Sequence, residues 1–293
     1  METGTEEGQL SEPDVTPQPG VPPAIRGTAG PMFAALYGEL VPHAWHDPRS
    51  EHDAYQLFHQ RSVAMGWLDD RSGLPSDCSA ESRASTAPGL WGMNDAGWGG
   101  PHAAAASGTV AWFQVECSTP AADRPLPVQP FLRCAEDTVA RIGTVRLSAV
   151  QILLPLQGVA PESRPPYAPV PSMGTRHWFG ERDPRARTAV RVGIDSGRDP
   201  VISTVAQQLA SDLAALEQDV FLCGEAESAD RDRVPPPPFH DDFWNGPPLH
   251  GMTLHGELAE WSCDAVGWLA ATLADAAARL GVRTPLLFEV ARG

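Results

Sequence analysis

The stretch GMTLHGELAEWSCDAVGWLAATLADAAARLGVRTPLLFEVARG, residues 251–293, reads as strand, helix and strand. In 252–258, Met252, Leu254 and Leu258 point one way, while Thr253, His255 and Glu257 point the other, the period of two of a half-buried strand. Val266, Leu269, Leu273, Ala276 and Leu280 then recur at helical spacing, and Gly281 ends the stripe. In the closing strand, Glu289 lies opposite Leu286, Phe288 and Val290.

A similar unit precedes it. GTVAWFQVEC (108–117) sets Ala111, Phe113 and Val115 on one face and Trp112, Gln114 and Glu116 on the other. A helix with Leu132, Ala135, Val139 and Ile142 on one stripe follows, then Gly143 and the strand TVRLSAVQILLPL. The two helix ends align, Ala140-Arg141-Ile142-Gly143 against Ala278-Arg279-Leu280-Gly281, and each upstream strand ends near a cysteine, Cys117 and Cys263.

Extending each half backward adds a strand at 31–41, a helix carrying Ala54, Leu57 and Phe58, a strand at 188–196, a helix at about 200–218 and the short strand VFLCG. Ser50 is placed to cap the first helix, with Asp53 as its capping-box partner. Each half then runs strand, helix, short strand, strand, helix, strand, the order of the ferredoxin-like βαββαβ arrangement. The expected fold is α+β, two such units in tandem, and packing sheet to sheet is one way to cover their helix-free faces. The alternative is a single mixed α+β domain. The boundaries expected are a disordered acidic tail over 1–28, an N-terminal unit over 29–157, a Pro-rich linker over 158–187 and a C-terminal unit over 188–293. Two long loops, 69–107 and 224–250, stand outside this plan and read as functional or mobile, with GLWGM (89–93) in the first a candidate short strand.

Composition narrows the function. The net charge of −16 opposes binding to nucleic acid, which needs concentrated positive charge. All basic residues are arginine, which removes lysine Schiff-base chemistry and a phosphate-loop lysine. Five widely spaced cysteines without a C-x-x-C suit a reducing cytoplasm. The N-terminus lacks the pattern of a secretory signal, and no apolar run reaches membrane-spanning length.

Pleat geometry supplies one candidate site. With neighbouring strands, Arg191, His255, Glu257 and Glu289 share a helix-free sheet face. There His255 with a carboxylate suits proton transfer, and Arg191 suits holding an anion. The histidine-rich groups His43, His46, Asp47, His52 and His240, Asp241, Asp242, His250 match no metal motif, so no metal or other cofactor is assigned. Cys78 is the cysteine expected to be exposed. Loop tryptophans, among them Trp45, Trp91, Trp98, Trp178 and Trp244, point to an interaction surface.

Two readings follow. The first is a non-catalytic cytoplasmic binding or assembly protein that docks a protein partner or a second copy through those tryptophans. The second is an enzyme acting on a small, partly apolar anionic substrate by acid–base chemistry of His255 and Glu257, with Arg191 orienting it. No nucleic-acid or membrane partner is expected.

Overall fold

The computed structural model describes residues 30–47, 53–69, 89–99, 108–117, 124–163, 176–228 and 238–293. Eight strands form one antiparallel sheet: β1 (Gly30–Pro42), β2 (Gly92–Trp98), β3 (Thr109–Cys117), β4 (Gly143–Leu154), β5 (Thr188–Asp195), β6 (Phe221–Ser228), β7 (Gly251–Leu258) and β8 (Leu286–Arg292). The main helices are α1 (Ala54–Ala64), α2 (Val128–Ala140), α4 (Val201–Ala215) and α5 (Cys263–Arg279). A single turn of helix, α3 (Arg176–Gly180), lies between the halves.

The strands are ordered β2-β3-β1-β4-β8-β5-β7-β6. Reading outward from the centre, each half places its last strand first, then its first, its third and its second. The halves meet edge to edge, β4 against β8, with Gln151 opposite Glu289 and Leu153 opposite Leu287. Face-to-face packing of two sheets is thereby corrected. β4 and β8 each offer a long apolar edge, and pairing them satisfies both rows of backbone groups at once.

Alternation decides which way each strand faces. Met32, Ala34 and Leu36 of β1, Phe113 and Val115 of β3, Val150 and Ile152 of β4, and Val190, Val192 and Ile194 of β5 join the helices in one core that runs through both halves. α2 packs on α1 and on α5, and α5 packs on α4. Gly267 permits the α2–α5 contact, because a Cβ there would lie 2.7 Å from the Cα of Gln129. The helix starts follow local chemistry. Ser262 Oγ accepts from the Ala265 N–H at 3.2 Å, and Asp53 Oδ1 accepts from the Gln56 N–H at 2.7 Å. Asp53 is thus itself the N-cap of α1 rather than the second member of a box, and Ser50 falls outside the described residues.

The loop expected at 69–107 contains β2, and Trp91 ahead of it bridges Leu68. The strand expected as VFLCG continues to Ser228. Both outer strands are bulged, β2 between Met93 and Asp95 and β6 between Cys223 and Ala226. The tail at 1–28, Cys78 and His52 lie outside the described residues. No described helix is long and apolar enough to cross a membrane.

Candidate functional site

The helices cover one face of the sheet. On the other face the register lays side chains in rows across the seam. One row runs Phe33, Leu153, Leu287, Asp195. The next runs Ala35, Gln151, Glu289, Gly193, Thr253, Glu227, and a third runs Tyr37, Ala149, Ala291, Arg191, His255.

The first row is the floor of a small second core. Phe33 stacks beside Trp112 at 5.8 Å between centroids, with Leu153 and Leu287 in the same cluster. A strap from the β6–β7 connection crosses the seam and covers it. Phe239 meets Phe33 edge-on at 4.9 Å, Phe243 lies 6.0 Å from Phe33, and Trp244 packs behind them.

A polar chain crosses the seam beside this floor. Tyr37 Oη donates to Gln151 Oε1 at 2.7 Å, and Gln151 Nε2 donates to Glu289 Oε2 at 3.1 Å. Arg191 Nη2 donates to Glu289 Oε1 at 2.7 Å, completing a chain over β1, β4, β8 and β5. Gln151 and Glu289 are 0% and 2% exposed. Buried groups of this kind are costly unless each is satisfied, and here each link supplies the next one's partner. Gln151 and Glu289 each lie eight residues beyond the glycine that follows the preceding helix, Gly143 and Gly281.

Burial raises the proton affinity of three groups on this face. It pushes the Tyr37 hydroxyl above the usual phenol range. It raises the Glu289 carboxyl, with Gln151 and Arg191 pulling back. It also raises Asp195, against the opposing N–H groups of Gly197, His250 and Leu249. Between Asp195 and Glu289 sits Gly193, half-buried, where a Cβ would meet nothing closer than Glu289 Cβ at 3.8 Å. The missing side chain leaves a notch beside the stem of Glu289, whose carboxyl turns to Gln151 and Arg191, while Asp195 Oδ1 accepts from the Gly197 N–H at 2.7 Å.

The expected cluster is gathered in part. Arg191 faces His255 across the β5–β7 pair and is salt-bridged to Glu289. His255 Nε2 lies 4.0 Å from Glu227 Oε2, so the carboxylate facing it comes from β6. Glu257 is exposed, between Ala189 and Leu222 in register. Arg191 and Glu289 are committed to each other, so neither stands as a free charge on this face.

The tryptophans do not form one surface. Trp91 is 2% exposed inside the helix-covered core, which removes it from any interaction surface, because its ring packs where the β2 segment joins the sheet. Trp244 is half-buried in the strap. Trp98 ends the outer strand β2, Trp178 stands exposed on α3, and Trp45 is exposed and stacked on His43 near the tip of β1. Among the described residues no group of three or more His, Cys, Asp or Glu is placed to hold a metal ion.

Tyr37, Gln151, Asp195, Gly193 and Glu227 were not singled out by sequence reasoning. The only sequence signal for Gln151 is its position as the lone polar residue inside VQILL. Comparison with protein families, with curated proteins and with solved structures finds no match for the chain.

Proposed function

We propose that the protein is a non-catalytic binding protein for a small, partly apolar molecule carrying an ammonium or similar donor group. The molecule lies on the helix-free face at the seam. One observation carries this reading: the notch over Gly193, beside Glu289 and two residues from half-buried Asp195, adjoins the floor of Phe33, Leu153 and Leu287 under the strap rings. An apolar surface with a few convergent polar groups of shifted proton affinity is the usual form of a ligand site. The donor end of the ligand takes Asp195 beside the notch, and its aromatic end takes the floor when the Phe239 and Phe243 rings covering it give way.

The finer fold reading belongs with this proposal: each half is a ferredoxin-like unit, and the chain is a tandem of two. It is supported by the common element order, by the common strand order outward from the seam, and by the matched places of Gln151 and Glu289 after Gly143 and Gly281. On this reading the site sits where the duplicated units meet.

Titration calorimetry with phenethylamine and with phenylacetate tests the function. The amine binds, the acid binds at least about ten-fold more weakly, and Gly193→Val weakens the amine about ten-fold while melting stays cooperative, ten-fold being about 1.4 kcal/mol. Valine suits a strand and fills only the notch. Equal binding of amine and acid, or indifference to Gly193→Val, overturns the reading.

A further inference from the structure

Thr253 lies across from Gly193 in the β5–β7 pair, so the row through the notch reads Glu289, Gly193, Thr253. The stem of Glu289 walls the notch on one side and the threonine walls it on the other. Neighbouring strands lie about 4.8 Å apart, so the two walls stand roughly 10 Å apart with only glycine between them. Among the described residues, only Glu289 comes within 4 Å of the place a Cβ on Gly193 would take.

The two walls differ in kind. Both carboxyl oxygens of Glu289 are taken, Oε2 by Gln151 and Oε1 by Arg191. Thr253 is 4% exposed, and its chain neighbours Met252 and Leu254 turn into the helix-covered core. Its hydroxyl makes no hydrogen bond among the described residues. Glu227, opposite it on β6, is exposed and has its carboxylate 4.0 Å from His255 Nε2. Of the polar side chains in this row, Thr253 alone is both buried and without a partner. A buried hydroxyl with no partner carries a desolvation cost. Valine has the same shape, suits a strand as well and carries no such cost, so packing accounts for the side chain but not for its oxygen.

We propose that Thr253 is the specificity-determining residue of the seam site, its Oγ1 pairing with a ligand hydroxyl seated in the notch. The class of molecule bound is then an aromatic amino alcohol. This rests on the binding reading above and narrows it. Thr253 and Asp195 are diagonal neighbours across the β5–β7 pair, a spacing of about 7–8 Å. A hydroxyl and an ammonium on adjacent carbons bridge that spacing, each one hydrogen bond from its partner. Thr253 Oγ1 both donates and accepts, so it can pair with the ligand hydroxyl in either sense. A ligand lacking the hydroxyl leaves Thr253 unpaired in the closed site and is discriminated against for that reason.

Calorimetry on the full chain compares phenethylamine with 2-amino-1-phenylethanol, which adds one hydroxyl on the carbon beside the ring. The wild type binds the better enantiomer of the amino alcohol at least about ten-fold more tightly than phenethylamine. Thr253→Val closes that gap to within about two-fold and binds phenethylamine no more weakly than the wild type does. Without ligand the variant melts no lower than the wild type, because its hydroxyl gave up no bond. Phenethylamine bound by the wild type as tightly as the amino alcohol overturns the Thr253 proposal and leaves the binding reading intact. So does a Thr253→Val protein that keeps the preference. A variant that melts lower or fails to fold also overturns it, since the hydroxyl then serves the fold. Binding of neither compound to the wild type sinks the binding reading, and the Thr253 proposal with it.

Discussion

The two halves share an element order and a strand order, yet their helix-free faces differ in kind. The first half presents Phe33, Ala35, Trp112 and Leu153, roofed by rings from the second half. The second presents Arg191, His255, Glu257 and Glu227, and its His255 and Glu227 side chains are 45% and 59% exposed. The helix-covered faces show no such contrast, since aliphatic and aromatic residues from both halves fill one core. Topology therefore constrains the covered face and leaves the open face to vary. The seam is where the two chemistries meet, and the polar chain from Tyr37 to Arg191 marks the transition.

The contrast is broken most severely by Phe33→Ala. If the roofed face is a true second core, urea unfolding shows a loss of about 4 kcal/mol, the range for a fully packed ring. His255→Ala, on the open face, stays within about 0.5 kcal/mol in the same measurement. Comparable losses at the two positions would mean that the faces are energetically alike.

A smaller effect is expected at the seam. Glu289→Leu removes the acceptor shared by Gln151 and Arg191 and costs about 3 kcal/mol in urea unfolding, as for other buried pairs with one partner removed. Retention of wild-type stability would show that the polar chain is dispensable for joining the halves.

The smallest effect is in pH dependence. The folded-state Glu289 carboxyl binds its proton more tightly than the unfolded one, chiefly through burial. As pH rises above the ordinary carboxylate range, the unfolded chain releases its proton first, so the folded state holds more protons and loses stability. The wild type accordingly loses stability relative to Glu289→Gln between about pH 4 and 7. A constant difference between the two proteins across that interval would contradict the shift.

Much of this was legible in the sequence where periodicity was strong. The strands carrying Val190, Val192 and Ile194, or Met252 and Leu254, announce themselves, and so do the stripes of α2 and α5. Arg191, His255, Glu257 and Glu289 were correctly assigned to one face because the pleat forces alternation. β2 was largely illegible. Its GMNDAGW has neither alternation nor β-branched residues, and its pairing with β3 imposes the strand. The edge-to-edge junction was equally hidden, since an apolar run such as VQILL fits a central strand or a face-packed one alike. The strap was masked by its composition: prolines, histidine and two aspartates around Phe239 and Phe243 read as exposed loop. Gln151 gained its role only from the residue placed opposite it across the seam.

The bulges in the outer strands have a consequence for association. Joining β4 to β8 uses up two regular edges and leaves β2 and β6 at the ends of the described sheet. Both are kinked out of register, and β6 carries Glu225 and Glu227 along its length. A neighbouring chain seeking to extend the sheet meets an irregular row of backbone groups and a line of negative charge, which together discourage strand addition and fibril growth. Eight strands are thus a natural stopping length, set by imperfections at the ends rather than by closure of the sheet.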